Sequence, residues 1–220
     1  MAEVDFISAV HKSTKRDYLG RVTAHDKAEC AELAIQWGRD YWDGERHHGY
    51  GGYRYDGRWR AVAEAIVNHY GLSDDIRILD VGCGKGFLLY EFTQVLPRAD
   101  VCGIDISQYA IDHAREEVRS SLQVGHARQL PFPDQHFDLV ISINTLHNLY
   151  IDELWSALTE IERVGRGAKY LTVESYRNER EKVNLLYWQL TCRAFHAPRE
   201  WEWIFQQTGY SGDHSFIVFE

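Results

Sequence analysis

The chain has 220 residues and a formal net charge of -9 at neutral pH, long enough for one well-cored domain and short for two. The acidic balance speaks against an extended nucleic-acid footprint, which needs a basic face, although a local basic groove would survive it. Cys30, Cys83, Cys102 and Cys192 show no C-x-x-C or metal-ligand spacing and read as reduced thiols of a cytoplasmic protein; Lys12, Lys15 and Arg16 precede no apolar run, and no stretch approaches the length of a membrane span.

In chain order, residues 26–37 predict an amphipathic helix with Ala28, Ala31, Leu33, Ala34 and Trp37 as its apolar positions. Residues 41–59, from Tyr41 to Trp59, hold too many glycines for a helix or strand and too many aromatics for a solvated linker. A second helix is expected from Arg60 to about His69, packing Val62, Ile66 and Val67 onto a sheet. From Arg77 onward strands and helices alternate, the pattern of a mostly parallel, doubly wound α/β sheet with helices on both faces. The strands are expected at Arg77 to Val81, Val101 to Ile104, Leu122 to Gly125, Phe137 to Ile143 and Tyr170 to Glu174, with helices from Gly86 to about Leu96 and from about Asp152 to Val164. Beyond them come helical stretches from about Glu179 to Phe195 and around Trp201 to Gln207, then room for one full strand at His214 to Phe219. The expected organisation is one domain over 1–220, with a cap in 1–60, a ligand-binding core in 75–175 and a C-terminal edge in 176–220.

Residues 78–86, Ile-Leu-Asp-Val-Gly-Cys-Gly-Lys-Gly, are the most informative segment. A strand ends in an acid, and three glycines on alternate positions then open a helix, as positive φ and close approach of a ligand to bare backbone require. A dinucleotide loop would place Gly or Ala where Phe87 stands, and a P-loop would place Ser or Thr after Lys85, so neither motif fits.

The segment resembles the D-x-G-x-G-x-G loop of class I S-adenosylmethionine (SAM) dependent methyltransferases, of the Rossmann-like small-molecule type, through Asp80, Gly82, Gly84 and Gly86. Asp105, beyond the second strand, matches the acid that accepts from ribose hydroxyls. Leu130-Pro131-Phe132 leading to Phe137-Asp138-Leu139-Val140 resembles a third motif of the same class. Each piece alone has a plain structural explanation as a turn, a helix cap or a loop over the core; three in order on successive strand ends do not. The resemblance implies SAM as cofactor, S-adenosylhomocysteine as product, and a cofactor site drawn from the glycine loop with Cys83, from Asp105 and Ile106, from His126 and Ala127, and from Asn144. His126 stands where related enzymes often carry Asp, so the polar contact to adenine departs from the pattern.

Methyl transfer from a sulfonium is an in-line displacement that needs alignment and exclusion of water; a hydroxyl or amine acceptor is helped by a base, and His147 is the candidate, with a packing or capping role at the helix start as the alternative. The aromatic-glycine run is the candidate lid, with Tyr50, Tyr53 and Tyr55 toward the acceptor, against an irregular segment with its aromatics in the core. Glu174 and Tyr176 are further acceptor-side candidates. No metal is expected, because His47 and His48 are adjacent and no third ligand has a familiar spacing. Arg177, Arg180 and Lys182 among Glu179 and Glu181 read as a solvated helix face. The expected function is methylation of a small polar acceptor at N or O, with oligomeric state open, a homodimer included. Two alternatives remain: a catalytically silent SAM-binding subunit that docks a partner through a short sheet edge and surface Trp201 and Trp203, and a protein or RNA methyltransferase.

Overall fold

Apolar strands that are hydrophobic on both faces need covering on both sides, and the computed structural model, which describes residues 1–11 and 16–220, shows how this is met. Lys12 and Lys15 lie outside the described residues. Four short helices, α1 (Ser8–His11), α2 (Tyr18–Thr23), α3 (Lys27–Ala34) and α4 (Arg39–Asp43), precede α5 (Arg60–Tyr70). The alternating part follows as β1 (Arg77–Val81), α6 (Phe87–Val95), β2 (Asp100–Asp105), α7 (Gln108–Asp112), α8 (Glu116–Arg119), β3 (Leu122–Val124), β4 (Phe137–Ile143), α9 (Ile151–Val164), β5 (Gly165–Glu174), α10 (Glu179–Trp188), α11 (Pro198–Thr208) and β6 (Asp213–Ile217).

The six strands form one sheet in the order β3-β2-β1-β4-β5-β6, and every neighbouring pair is parallel. Successive strand residues face opposite layers: Ile78, Leu139 and Tyr170 join Val62 and Ile66 of α5 and Leu89 and Phe92 of α6, whereas Leu79, Val140 and Leu171 join Leu154 and Leu158 of α9 and Trp201 and Phe205 of α11. Strand order reverses between β1 and β4, which pair directly, and the carboxyl ends of strands at such a switch diverge to leave a crevice.

Three expectations are corrected. The first predicted helix ends at Ala34, with Cys30 and Ala34 as its buried face and Ala28 exposed, because Asp26 caps its start and the chain turns away through Trp37 at φ 52°. The aromatic-glycine run is not wholly irregular, since α4 takes Tyr41, Trp42 and Asp43. Trp201 is fully buried and donates its indole N–H to the Glu174 carbonyl at 3.0 Å, so of the two tryptophans only Trp203 is at the surface. The single C-terminal strand is present, and the N-terminus adds a short bridge to its edge. Val4 N–H donates to His214 O at 2.8 Å and His214 N–H donates to Ala2 O at 3.0 Å. No helix among the described residues is long and apolar enough to cross a membrane.

Candidate active site

The bend after β1 is built from glycine for steric reasons. Gly82 and Gly84 have φ of 86° and 53°; a Cβ on Gly82 would fall 2.1 Å from Thr145 Oγ1, and one on Gly84 2.9 Å from the Trp42 ring. Gly86 serves differently. It starts α6 at φ 71°, and its Cβ would meet Leu122 and Val118 at 2.9 and 3.0 Å, so it allows helix–strand packing and does not face the crevice. Asp105, at the end of β2, accepts from Gly84 N–H and Ser107 N–H, both at 2.8 Å, and so fixes the loop while keeping lone pairs toward the crevice.

The crevice opens into a cavity of about 760 Å³, within the usual range for a small-molecule site. One half is lined by Asp80, Gly82, Cys83, Gly84, Asp105, Ile106, His126 and Ala127, the residues that the loop resemblance singled out. Asp80 is 3% exposed, and its Oδ1 has no hydrogen-bond partner. Burial and the neighbouring Asp105 charge raise its carboxyl to about 8. A cavity-lining carboxyl with a buried oxygen left without a hydrogen bond fits a cationic ligand group, and the spare lone pairs of Asp105 fit hydroxyl donors. His126 is turned aside, with Nδ1 accepting from Arg128 N–H at 3.1 Å and Nε2 3.4 Å from Glu153.

The other half is formed by the ends of β4 and β5 and by the N-terminal segment. Asn144 has φ 57°, a left-handed conformation that Asn tolerates, and hydrogen-bonds the Tyr50 hydroxyl while its Oδ1 is left bare. Glu174 has one oxygen held by Gln189 Nε2, while Oε2 is buried without a hydrogen bond; burial raises the carboxyl to about 8 against the lowering effects of Gln189 and Arg16. Tyr41, Tyr50, Tyr53, Arg16, Arg21, Arg46 and Trp188 complete this wall. The three guanidinium carbons lie 5.4, 5.1 and 5.2 Å from the Trp188 ring centroid. Arg21 and Arg46 have no carboxylate within 4 Å among the described residues, and burial holds both below the usual arginine range. Sequence reasoning missed this cluster, because its members are scattered over more than half the chain.

Besides Gly86, three predicted site residues are not on the cavity wall. His147 is 1% exposed, in a short 3-10 turn (Leu146–Asn148) behind the wall. Its Nδ1 accepts from Glu174 N–H at 3.3 Å and its Nε2 lies 3.4 Å from Glu174 Oε2. Burial depresses it to about 3, so the ring is neutral and the contact is not an ion pair. Tyr55 lies outside α6, donating to Glu91 at 2.6 Å. Tyr176 follows β5 around the corner and packs under Lys182, 5.0 Å from its ring centroid.

The predicted lid is fastened onto the glycine loop. Lys85 Nζ donates to Asp43 at 2.7 and 2.8 Å and to Tyr53 O at 2.9 Å, and the Tyr109 hydroxyl donates to Asp43 at 2.9 Å. Trp42 donates its indole N–H to Ser107 Oγ at 2.9 Å, and Tyr53 stacks on Phe87 at 4.9 Å. Residues 41–59 are thus both cavity wall and cap.

The profile of a family described as a methyltransferase domain matches residues 72–209. A demethylmenaquinone methyltransferase of Symbiobacterium thermophilum is 34% identical over 128 residues, covering 54% of this chain and 50% of that protein. A malonyl-[acyl-carrier protein] O-methyltransferase of Legionella pneumophila is 32% identical over 92 residues, covering 40% of this chain and 32% of that protein. The chain therefore matches no more than half the length of either relative. Among solved structures, geranyl diphosphate methyltransferase in complex with SAM superposes with a TM-score of 0.57 at 18% identity, covering 68% of this chain and 64% of that one.

Proposed function

The chain belongs to the class I SAM-dependent methyltransferase family, and on that premise we propose that it methylates a hydroxyl oxygen of a small anionic molecule, with SAM as donor and S-adenosylhomocysteine as product. The donor half fits the cofactor: Asp105 would hold the ribose hydroxyls, the bare Asp80 Oδ1 the cationic amino group, and Ala127 and Ile106 the adenine faces. When bound there, the sulfonium supplies an electrophilic methyl group. The observation that carries the acceptor reading is the set of guanidiniums around Trp188, with Arg21 and Arg46 lacking a carboxylate partner among the described residues. Guanidiniums held on a wall recognise carboxylate or phosphate, and in a chain of net charge -9 they are not a general basic surface. The arginines favour an anionic acceptor over a neutral quinone, the kind of acceptor named for the Symbiobacterium relative.

Glu174, on the cavity wall, is the residue we assign to take the hydroxyl proton, with a carboxyl near 8 that suits a base working close to neutral pH. His147 acts through it as a positioning residue, holding the end of β5 by its hydrogen bond to Glu174 N–H. Water is kept out by the cap of Trp42, Tyr50 and Tyr53. We place the protein in the cytoplasm, where its four free cysteines stay reduced.

The test is turnover on matched acceptors, hydroxy acids or phosphate esters against their neutral amides or alcohols. Arg46→Gln is expected to raise KM for the anionic acceptor about tenfold or more, as loss of a charge-assisted contact does, with SAM affinity unchanged. Glu174→Gln is expected to lower kcat and remove its rise toward pH 8. A preference for neutral acceptors in both proteins would overturn the anionic reading. Stoichiometric SAM binding with no turnover on any of them would favour the silent subunit instead.

A further inference from the structure

We propose that Cys30, His47 and His48 form a metal site, suited to zinc, that ties the cap to α3 outside the catalytic cavity. The Sγ of Cys30 and a ring nitrogen of each histidine all lie within 4.8 Å of one another. In a tetrahedral zinc site, bond lengths near 2.3 Å to sulfur and 2.0–2.1 Å to nitrogen set the donor atoms roughly 3.3–3.6 Å apart. The expectation that adjacent histidines point apart is not met here. Their ring centroids are 4.1 Å apart at 65° to one another, and a nitrogen of each ring still lies within 4.8 Å of the other and of the Cys30 sulfur. The third ligand comes from a separate helix, Cys30 being on the buried face of α3.

The ligand chemistry selects the ion. A thiolate with two imidazoles and no carboxylate disfavours calcium and magnesium, which take oxygen ligands, and suits borderline-soft zinc. Three protein ligands leave a fourth position for water. The exposed His25 ring stacks on His47 at 3.8 Å and 11°, which limits rotation of that ring.

None of the three residues lines the cavity, but the chain on both sides of the histidine pair does, through Arg46 on one side and Gly49 and Tyr50 on the other. Arg46 donates to Gly49 O at 2.7 Å and Tyr50 O at 3.2 Å, closing this turn on itself. A metal at its apex would hold the acceptor-side wall in place from behind, as a structural clip and not as a participant in methyl transfer.

The experiment uses the full chain, without a histidine tag, stripped by chelator and then titrated with zinc by calorimetry and with cobalt(II) by absorption. One equivalent of zinc, a thiolate-to-cobalt charge-transfer band and a higher melting temperature with zinc than without are expected. Cys30→Ser should abolish the charge-transfer band; His48→Ala should weaken zinc affinity at least tenfold while Cys192→Ser leaves it unchanged. Should Cys30→Ser fail to fold, the His48→Ala and Cys192→Ser pair still decides the matter. Binding of less than one equivalent, or zinc affinity equal in His48→Ala and the parent, would overturn the site. None of these readings needs an acceptor, so they are separate from the test of the methylation reaction.

Discussion

The two halves of the cavity are held by different means. The donor half rests on the carboxyl ends of β1 and β2, where main-chain hydrogen bonds to Ile104 O and Asp105 fix the glycine loop. The acceptor half rests on a cap of short helices and turns, pinned by a few side chains such as Lys85 to Asp43 and Trp42 to Ser107. A backbone-defined half binds what a whole family shares, and a side-chain-defined half can change its ligand without disturbing the sheet. Changes to the donor half should therefore move SAM binding and the pH response of the core, while changes to the cap should move closure.

The largest expected effect is on pH-dependent stability through Asp80. The unfolded carboxyl loses its proton near 3.8 and the folded one near 8, so across that window the folded chain holds a proton that the unfolded chain does not. Stability thus falls as pH rises from about 4 to 8. Asp80→Asn removes this loss and should stabilise the ligand-free protein at pH 8 by a few kcal/mol, with about 5 kcal/mol as the ceiling, and by little at pH 4. Glu174 has the same sign, and His147 the opposite one, since its folded value near 3 lies below its ordinary 6.5 and costs stability as pH falls through that interval. Urea unfolding of both proteins at several pH values checks this; a difference independent of pH would show that Asp80 is not held in its protonated form.

Asp105→Ala comes next, and it tests whether the halves are separable. Loss of ribose contacts should weaken SAM by about tenfold to a hundredfold in calorimetry, the range for hydrogen bonds to a charged group. The same carboxylate orders Ser107, whose Oγ accepts from Trp42, so a parallel change in tryptophan fluorescence would show the donor half steering the cap. Unchanged SAM affinity would remove the ribose role. Lys85→Ala works from the other side. It leaves the Asp43 carboxylate, about a quarter exposed, without its cation, and since breaking a buried pair costs about 3–5 kcal/mol, roughly 2 kcal/mol is expected at this partly solvated site. Faster proteolysis within 41–59 with the sheet still folded would confirm a cap that detaches alone.

The donor half was legible in the sequence because its cues are local. β1 and β4 occupy the expected residues, as continuous apolar runs buried on both faces must, and the acids at the ends of β1 and β2 lie on the cavity wall. Gly86 shows the limit of that reading, since a glycine of the same motif can be required by packing against Leu122. The acceptor half was legible only as composition. The aromatic-glycine run has no period, and what places it is Lys85 far along the chain. His147 was assigned a base role from its position after β4, but its burial depends on β5 and α9 packing against its turn. The arginines around Trp188 and the approach of Cys30 to His47 and His48 arise from contacts between distant segments, for which no spacing in the chain prepares the reader.

Tyr55 gives the smallest expected effect and the sharpest boundary between the two halves. It belongs to the cap by sequence, yet its hydroxyl donates to Glu91 and its ring packs edge-on against Phe87 and Tyr90 of α6. Glu91 is buried and keeps Arg60 at 3.8 Å, so Tyr55→Phe does not leave it wholly without a partner. A loss of about 1 kcal/mol is expected in urea unfolding, the ordinary value for one hydrogen bond, with kcat, acceptor KM and SAM affinity all unchanged. If acceptor KM rises instead, the tyrosine is reaching the substrate in a closed arrangement of the cap, and the division between wall and fastening must be drawn one residue pair later, after Tyr55 and not between Tyr53 and Tyr55.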